Sequence, residues 1–233
     1  MNSCPKQSRK AVYMRSTQYT MFTCLLAILL LLLVMVGYDI IMYLFPKERP
    51  LTWNLPVYQW TGIGIVAFFV LARLFNKNLN WFATFSHELT HTIVSILLFR
   101  KIHSFQAGRG TGEIYTSGNS NTLVFVDLAP YCLPIFTYLL LAIRMMLTKD
   151  MLMYYDVLIG MSIGFHVYCF RTQTGSYQTD INKHPLYFSY LYIATALLFN
   201  LCVILVSYWN GKNVFTAFCY VLTQMWETFI SIL

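Results

Sequence analysis

The chain alternates long apolar runs with short polar breaks. The first run, MFTCLLAILLLLLVMVGYDIIMYLF from Met21 to Phe45, is long enough to cross a bilayer core with some tilt. A polar stretch precedes it, residues 1–20, with Lys6, Arg9, Lys10 and Arg15 and no acid. That order resembles a secretory leader. The apolar run is too long for one and no small-residue cleavage site follows, so a retained first span is expected. Pro46 and Pro50 end it, because proline lacks the amide donor a helix needs. A second run covers Val57–Phe75, NKNLN (Asn76–Asn80) reads as a turn, and a further helix is expected from about Trp81 to Arg100.

Residues 101–121, KIHSFQAGRGTGEIYTSGNSN, change character. Glycines punctuate short alternating pieces, Ile102–Phe105 and Glu113–Thr116, which is the pattern of a β-hairpin rather than a span. Apolar character returns over Thr122–Leu147, where Pro130 and Pro134 are expected to kink or break the helix. Further spans are expected at Met151–Phe170, Leu186–Tyr208 and Val214–Leu233, with the polar stretch Arg171–Pro185 between the first two. The fold expected is an all-α polytopic membrane bundle of about six or seven membrane helices with one small β-hairpin insert. It divides into a basic tail (1–20), a first span (21–45), a membrane core (57–210) and a last span (211–233).

Composition supports a membrane setting. The chain is 58% hydrophobic and 11% charged, whereas soluble domains carry roughly 25% charged residues. Its net charge of +7 comes from basic residues scattered at the ends of apolar runs, where they set orientation or anchor to headgroups, so nucleic acid is not an expected partner. Five of the six cysteines lie within apolar runs and form no CxxC pair, so they read as small apolar side chains.

Against that background the stretch FATFSHELTHTIVSILLF, Phe82–Phe99, stands out. Two imidazoles and a carboxylate inside an apolar helix are costly to desolvate unless something binds them. On a helix, residues four apart share a face with Cβ atoms roughly 5–6 Å apart, so His87 and His91 can point at one zinc ion. Glu88, offset by one position, can reach the water on that metal and act as general base. With five histidines in the chain, a chance H-E-x-x-H has a probability of about two in a thousand.

FSHELTHTIVSILLF followed by a glycine-bearing hairpin and further spans resembles the site-2 protease family of intramembrane zinc metalloproteases. The resemblance covers roughly residues 57–210. It implies a zinc metalloendopeptidase that hydrolyses a peptide bond within or next to a membrane segment, with the bilayer and a membrane-protein or membrane-proximal peptide as its partners. It also implies an aspartate from a later segment as third zinc ligand. The family's N-x-x-P run leading to Asp-Gly is absent here, so that ligand is sought among the acids and histidines present. Asp180, in GSYQTDINKHP, follows the hairpin and two further spans and returns to the hairpin's side of the membrane. Asp127 and His166 are the alternatives, while Asp150 and Asp156 fall on the far side and Asp39 in the first span.

His103 and His184 read as solvated loop histidines, and Asn119 and Asn121 as groups able to hydrogen-bond a substrate backbone. The strand edge at 102–116 either pairs with an extended substrate or covers the site. Two other functions stay open: a non-catalytic scaffold or regulator keeping this fold, and a metal or proton transporter. A membrane di-iron oxidase needs more histidines than the five here. The basic tail favours a cytoplasmic N-terminus. If the first two spans and the H-E-x-x-H helix all cross fully, the site faces the outer side, whereas the resembled family has it nearer the cytosol.

Overall fold

The computed structural model describes residues 16–44, 55–108, 112–118, 122–209 and 213–233. The basic tail up to Arg15, Pro46 and Pro50, and Asn119 and Asn121 lie outside the described residues. The chain runs α1 (Ser16–Leu44), α2 (Leu55–Leu74), α3 (Asn76–Leu97), β1 (Lys101–Ala107), β2 (Gly112–Ser117), α4 (Leu123–Cys132), α5 (Ile135–Ile143), α6 (Leu152–Gln173), α7 (Thr179–Asn182), α8 (Leu186–Trp209) and α9 (Val214–Ile232). It is mostly helical, with one small antiparallel sheet.

Fewer helices suit a membrane than the sequence led one to expect. Three described helices are long and apolar enough to cross: Thr17–Leu44, Lys149–Gln173 and Leu186–Tyr208. The number reaches five only if each of two bent pairs makes one span. One pair is α2 with α3, bent by 117°, and the other α4 with α5, bent by 76°. The reasons are local. The residues Asn76–Asn80, expected to form a turn, are instead the first turns of α3, so the chain bends at Phe75 and α3 begins polar. Pro134 has no amide to continue α4, and Leu133 is extended there, which leaves α4 and α5 each too short to cross alone. In α9, Gln224 and Glu227 dilute the apolar run.

The helices are held by two kinds of contact. Around α8, Leu33, Val36 and Ile40 of α1 meet Cys202, Val203 and Val206, and Ala217 and Val221 of α9 complete that cluster. The first and last helices are therefore packed onto the core. Between α2 and α6 the backbones touch instead. A Cβ added to Gly64 would overlap the carbonyl of Val157, and one added to Gly160 would overlap the carbonyl of Thr61. Small residues let membrane helices approach this closely. Gly160→Leu is accordingly expected to push the pair apart at a cost of at least about 1–3 kcal/mol. A lowered midpoint of thermal unfolding in detergent would register it, and an unchanged midpoint would contradict the contact.

The far end of the bundle, away from the hairpin, is tied by polar groups. Tyr208 donates to Asp156 (2.7 Å) and meets Thr61 (2.8 Å), while Arg144 donates to the carbonyl of Tyr208. At the opposite end, Tyr19 of α1 packs edge-on against Phe188 at the start of α8. That contact places the beginning of α1 at the end of the bundle that carries the hairpin and α7.

Candidate metal centre

The centre is built on α3. His87 and His91 lie one turn apart with ring centroids 4.8 Å from each other, and both are buried. The α4 helix fixes the second ring: His91 Nδ1 donates to the carbonyl of Val126 at 2.7 Å. A carbonyl only accepts, so Nδ1 holds the hydrogen and Nε2 of the neutral ring presents a lone pair. The ring of Tyr131 stands edge-on to His87 at 5.3 Å and limits its swing.

Asp180 meets those two nitrogens from the other side. The stretch 174–185 turns inward and forms the short helix α7, which puts Asp180 Oδ2 at 3.2 Å from His91 Nε2 and 3.5 Å from His87 Nε2. All three ligand atoms lie within 4.8 Å of one another. A carboxylate oxygen facing the lone pair of His91 is repulsive unless a proton or a cation lies between them. Zinc bonds of about 2.0–2.2 Å in a tetrahedron separate neighbouring ligand atoms by about 3.3 Å, which both carboxylate–imidazole distances bracket. Two nitrogens and one oxygen also leave a fourth position open, as catalytic zinc sites do. Two imidazoles and a carboxylate are donor types that zinc takes.

Glu88 is buried beside His87 and lines a cavity of about 830 Å³ together with His91, Asp127, Asp180, Lys183 and residues 112–116 of β2. The hairpin presses directly on it: a Cβ on Gly112 would overlap the Glu88 carboxylate, so only glycine lets β2 start there without moving that side chain. β1 and β2 pair from Lys101 with Ser117 to Ala107 with Gly112, with an irregularity between Ile102 and Ser104.

Asp127 and His166, the two alternatives for third ligand, are not brought into the group. Asp127 Oδ1 accepts from Lys183 at 3.0 Å, and its Oδ2 lies 3.2 Å from His184 Nε2. Its charge is already matched. His166 sits on α6 with its Nε2 buried and unpartnered among the described residues. Asp156 is engaged by Tyr208 at the far end.

One expectation is overturned. His184 is buried, 5% exposed, and its Nδ1 meets the Tyr19 hydroxyl at 2.9 Å. It is a link between α1 and Asp127, not a solvated loop histidine. His103 is exposed, as expected, and pairs with Ser117.

Lys183 is the residue that sequence reasoning missed. Its Nζ bridges Asp180 Oδ1 (2.7 Å) and Asp127 Oδ1 (3.0 Å). The available signal was its spacing, three residues after Asp180 on one helical face. Burial by itself raises the Asp180 pKa, but its contacts with His87 and His91 and the charge of Lys183 outweigh it, holding the carboxyl well below the usual range. Burial works to lower the Lys183 pKa, and Asp127 and Asp180 reverse that, so the ammonium stays charged.

The class defined by this geometry is a helical protein with a buried His–His–Asp centre beside an acid-lined cavity. No family model, curated protein or solved structure matches the chain.

Proposed function

We propose that this protein is a membrane-embedded zinc metallopeptidase of the site-2 protease kind. The observation that carries the reading is the convergence of His87 and His91 on Asp180 at the wall of a cavity that Glu88 also lines. Zinc, when bound, supplies a Lewis acid that activates water and polarises the scissile carbonyl. His87, His91 and Asp180 hold it. Glu88 takes the proton of the attacking water and passes it to the leaving amine. The hairpin edge over Glu88 offers backbone donors and acceptors to an extended peptide, which suits a membrane segment that must unwind before it is cut. The substrate is a transmembrane or membrane-proximal peptide.

The third ligand gives the most direct test. Asp180→Ala is expected to weaken zinc affinity by more than the 10–100-fold typical of losing an outer partner of a ligand, whereas Asp127→Ala costs no more than that range. Chelator competition on the purified proteins measures both. Equal zinc affinity in wild type and Asp180→Ala would remove Asp180 from the centre.

Orientation follows from the bend at Phe75 and the position of Tyr19. A chain bent by 117° between α2 and α3 does not send α3 across the membrane as a separate span. The Tyr19–His184 contact puts the start of α1 at the same end of the bundle as the site, so a cytoplasmic basic tail would open the cavity mouth to the cytosolic side.

A further inference from the structure

We propose that Lys183 is a catalytic residue: its ammonium donates a hydrogen bond to the oxyanion that develops on the substrate's scissile carbonyl. The inference rests on the zinc-peptidase reading of the same cavity. An ammonium has three N–H donors. Asp180 Oδ1 and Asp127 Oδ1 take two of them, at 2.7 and 3.0 Å. The third has no acceptor among the described residues, and the side chain, 38% exposed, lines the cavity with Glu88, His91 and Asp180.

Position and charge both favour this role. Asp180 turns Oδ2 to the two imidazoles and Oδ1 to Lys183, so the ammonium is one carboxylate away from the point where His87 and His91 converge. Four carboxylates line the cavity, those of Glu88, Glu113, Asp127 and Asp180, and Lys183 is the one lysine or arginine among the described lining residues. Negative charge growing on a carbonyl oxygen is repelled by every one of those acids. Beside the metal, Lys183 is the group that opposes them.

The ammonium is also held in advance. Asp127 grips it, His184 Nε2 meets Asp127 at 3.2 Å and Tyr19 meets His184 at 2.9 Å, so little reorganisation is needed when charge develops. The proton count stays simple. Water adds to the carbonyl carbon, the C–N bond breaks, and Glu88 carries the proton from water to the amine. Lys183 keeps its own proton throughout.

Lys183→Met and Lys183→Arg, purified in detergent and loaded with zinc, test this beside the wild type. Zinc content, thermal midpoint and calorimetric binding of methylphosphonate, a tetrahedral oxyanion, are the readouts. Lys183→Met is expected to keep its zinc and fold, and to bind methylphosphonate about tenfold to a hundredfold more weakly, as loss of a charge-assisted hydrogen bond predicts. Peptide hydrolysis should fall about 10²–10³-fold, the loss seen when an oxyanion donor is removed. Lys183→Arg, which keeps charge and donors, should retain most of the affinity. Wild-type methylphosphonate affinity in zinc-loaded Lys183→Met overturns the proposal, as does a wild-type zinc protein that does not bind the probe. Loss of zinc from Lys183→Met overturns it too, since the lysine would then serve only to position Asp180. Absence of zinc from the wild type itself is a different failure, because the peptidase reading falls with it.

Discussion

Zinc falls from about one ion per chain to near zero in His87→Ala and in His91→Ala, while both proteins remain in the membrane fraction. This is the largest effect expected. Each substitution removes one of three protein ligands, and a pair of ligands does not make a catalytic zinc site. Removing a mere outer partner of a ligand already costs about 10–100-fold in affinity, so losing the ligand itself costs more. The remaining imidazole and the Asp180 carboxylate would stay buried and poorly matched, but the long apolar helices α1, α6 and α8 do not depend on them. His103→Ala is the useful control, because that imidazole is exposed on the hairpin and outside the centre. Full zinc occupancy in both the His87 and His91 variants, measured by elemental analysis, would refute the centre.

Glu88→Gln separates metal binding from chemistry. Glutamine keeps the size and the hydrogen-bonding reach of the side chain under Gly112 but cannot take a proton from water. Zinc content is therefore expected to match the wild type, because Glu88 stands outside the His87–His91–Asp180 group. Cleavage of a membrane-peptide substrate is expected to fall by at least about a hundredfold, the lower range for a general base. A Glu88→Gln protein that cuts such a substrate at the wild-type rate would reject the role. A variant that loses zinc would instead move Glu88 among the ligands.

Several features of the fold and centre were legible in the sequence because they are local. A four-residue spacing puts His87 and His91 on one helical face wherever that helix goes. Pro134 interrupts its helix because proline carries no amide hydrogen, and the structure breaks there. Glycines between short alternating pieces predicted the hairpin, and its strands fall at Lys101–Ala107 and Gly112–Ser117. Asp180 was singled out from order along the chain, and the structure brings its Oδ2 to 3.2 and 3.5 Å from the two imidazoles.

Other features were settled only by packing. Asp180 and Asp127 look alike as acids near apolar runs. Asp180 meets imidazoles 89 and 93 residues earlier in the chain, whereas Asp127 is matched by Lys183 and His184. No periodicity encodes such pairings, because they depend on how α3, α4 and α7 come together. His184 reads as a loop histidine by its neighbours, Lys183 and Pro185, and becomes buried because Tyr19, 165 residues away, closes over it. The bend at Phe75 is of the same kind. Asn76, Asn78 and Asn80 signal a turn, yet the chain continues there as helix, so hydrophobic runs alone overcounted the spans. The sequence by itself singled out the candidate residues and on which helical face two of them stand. The tertiary structure decided which carboxylate joins them and which cation stands beside it, because contacts between distant segments are fixed by packing and charge pairing across the fold.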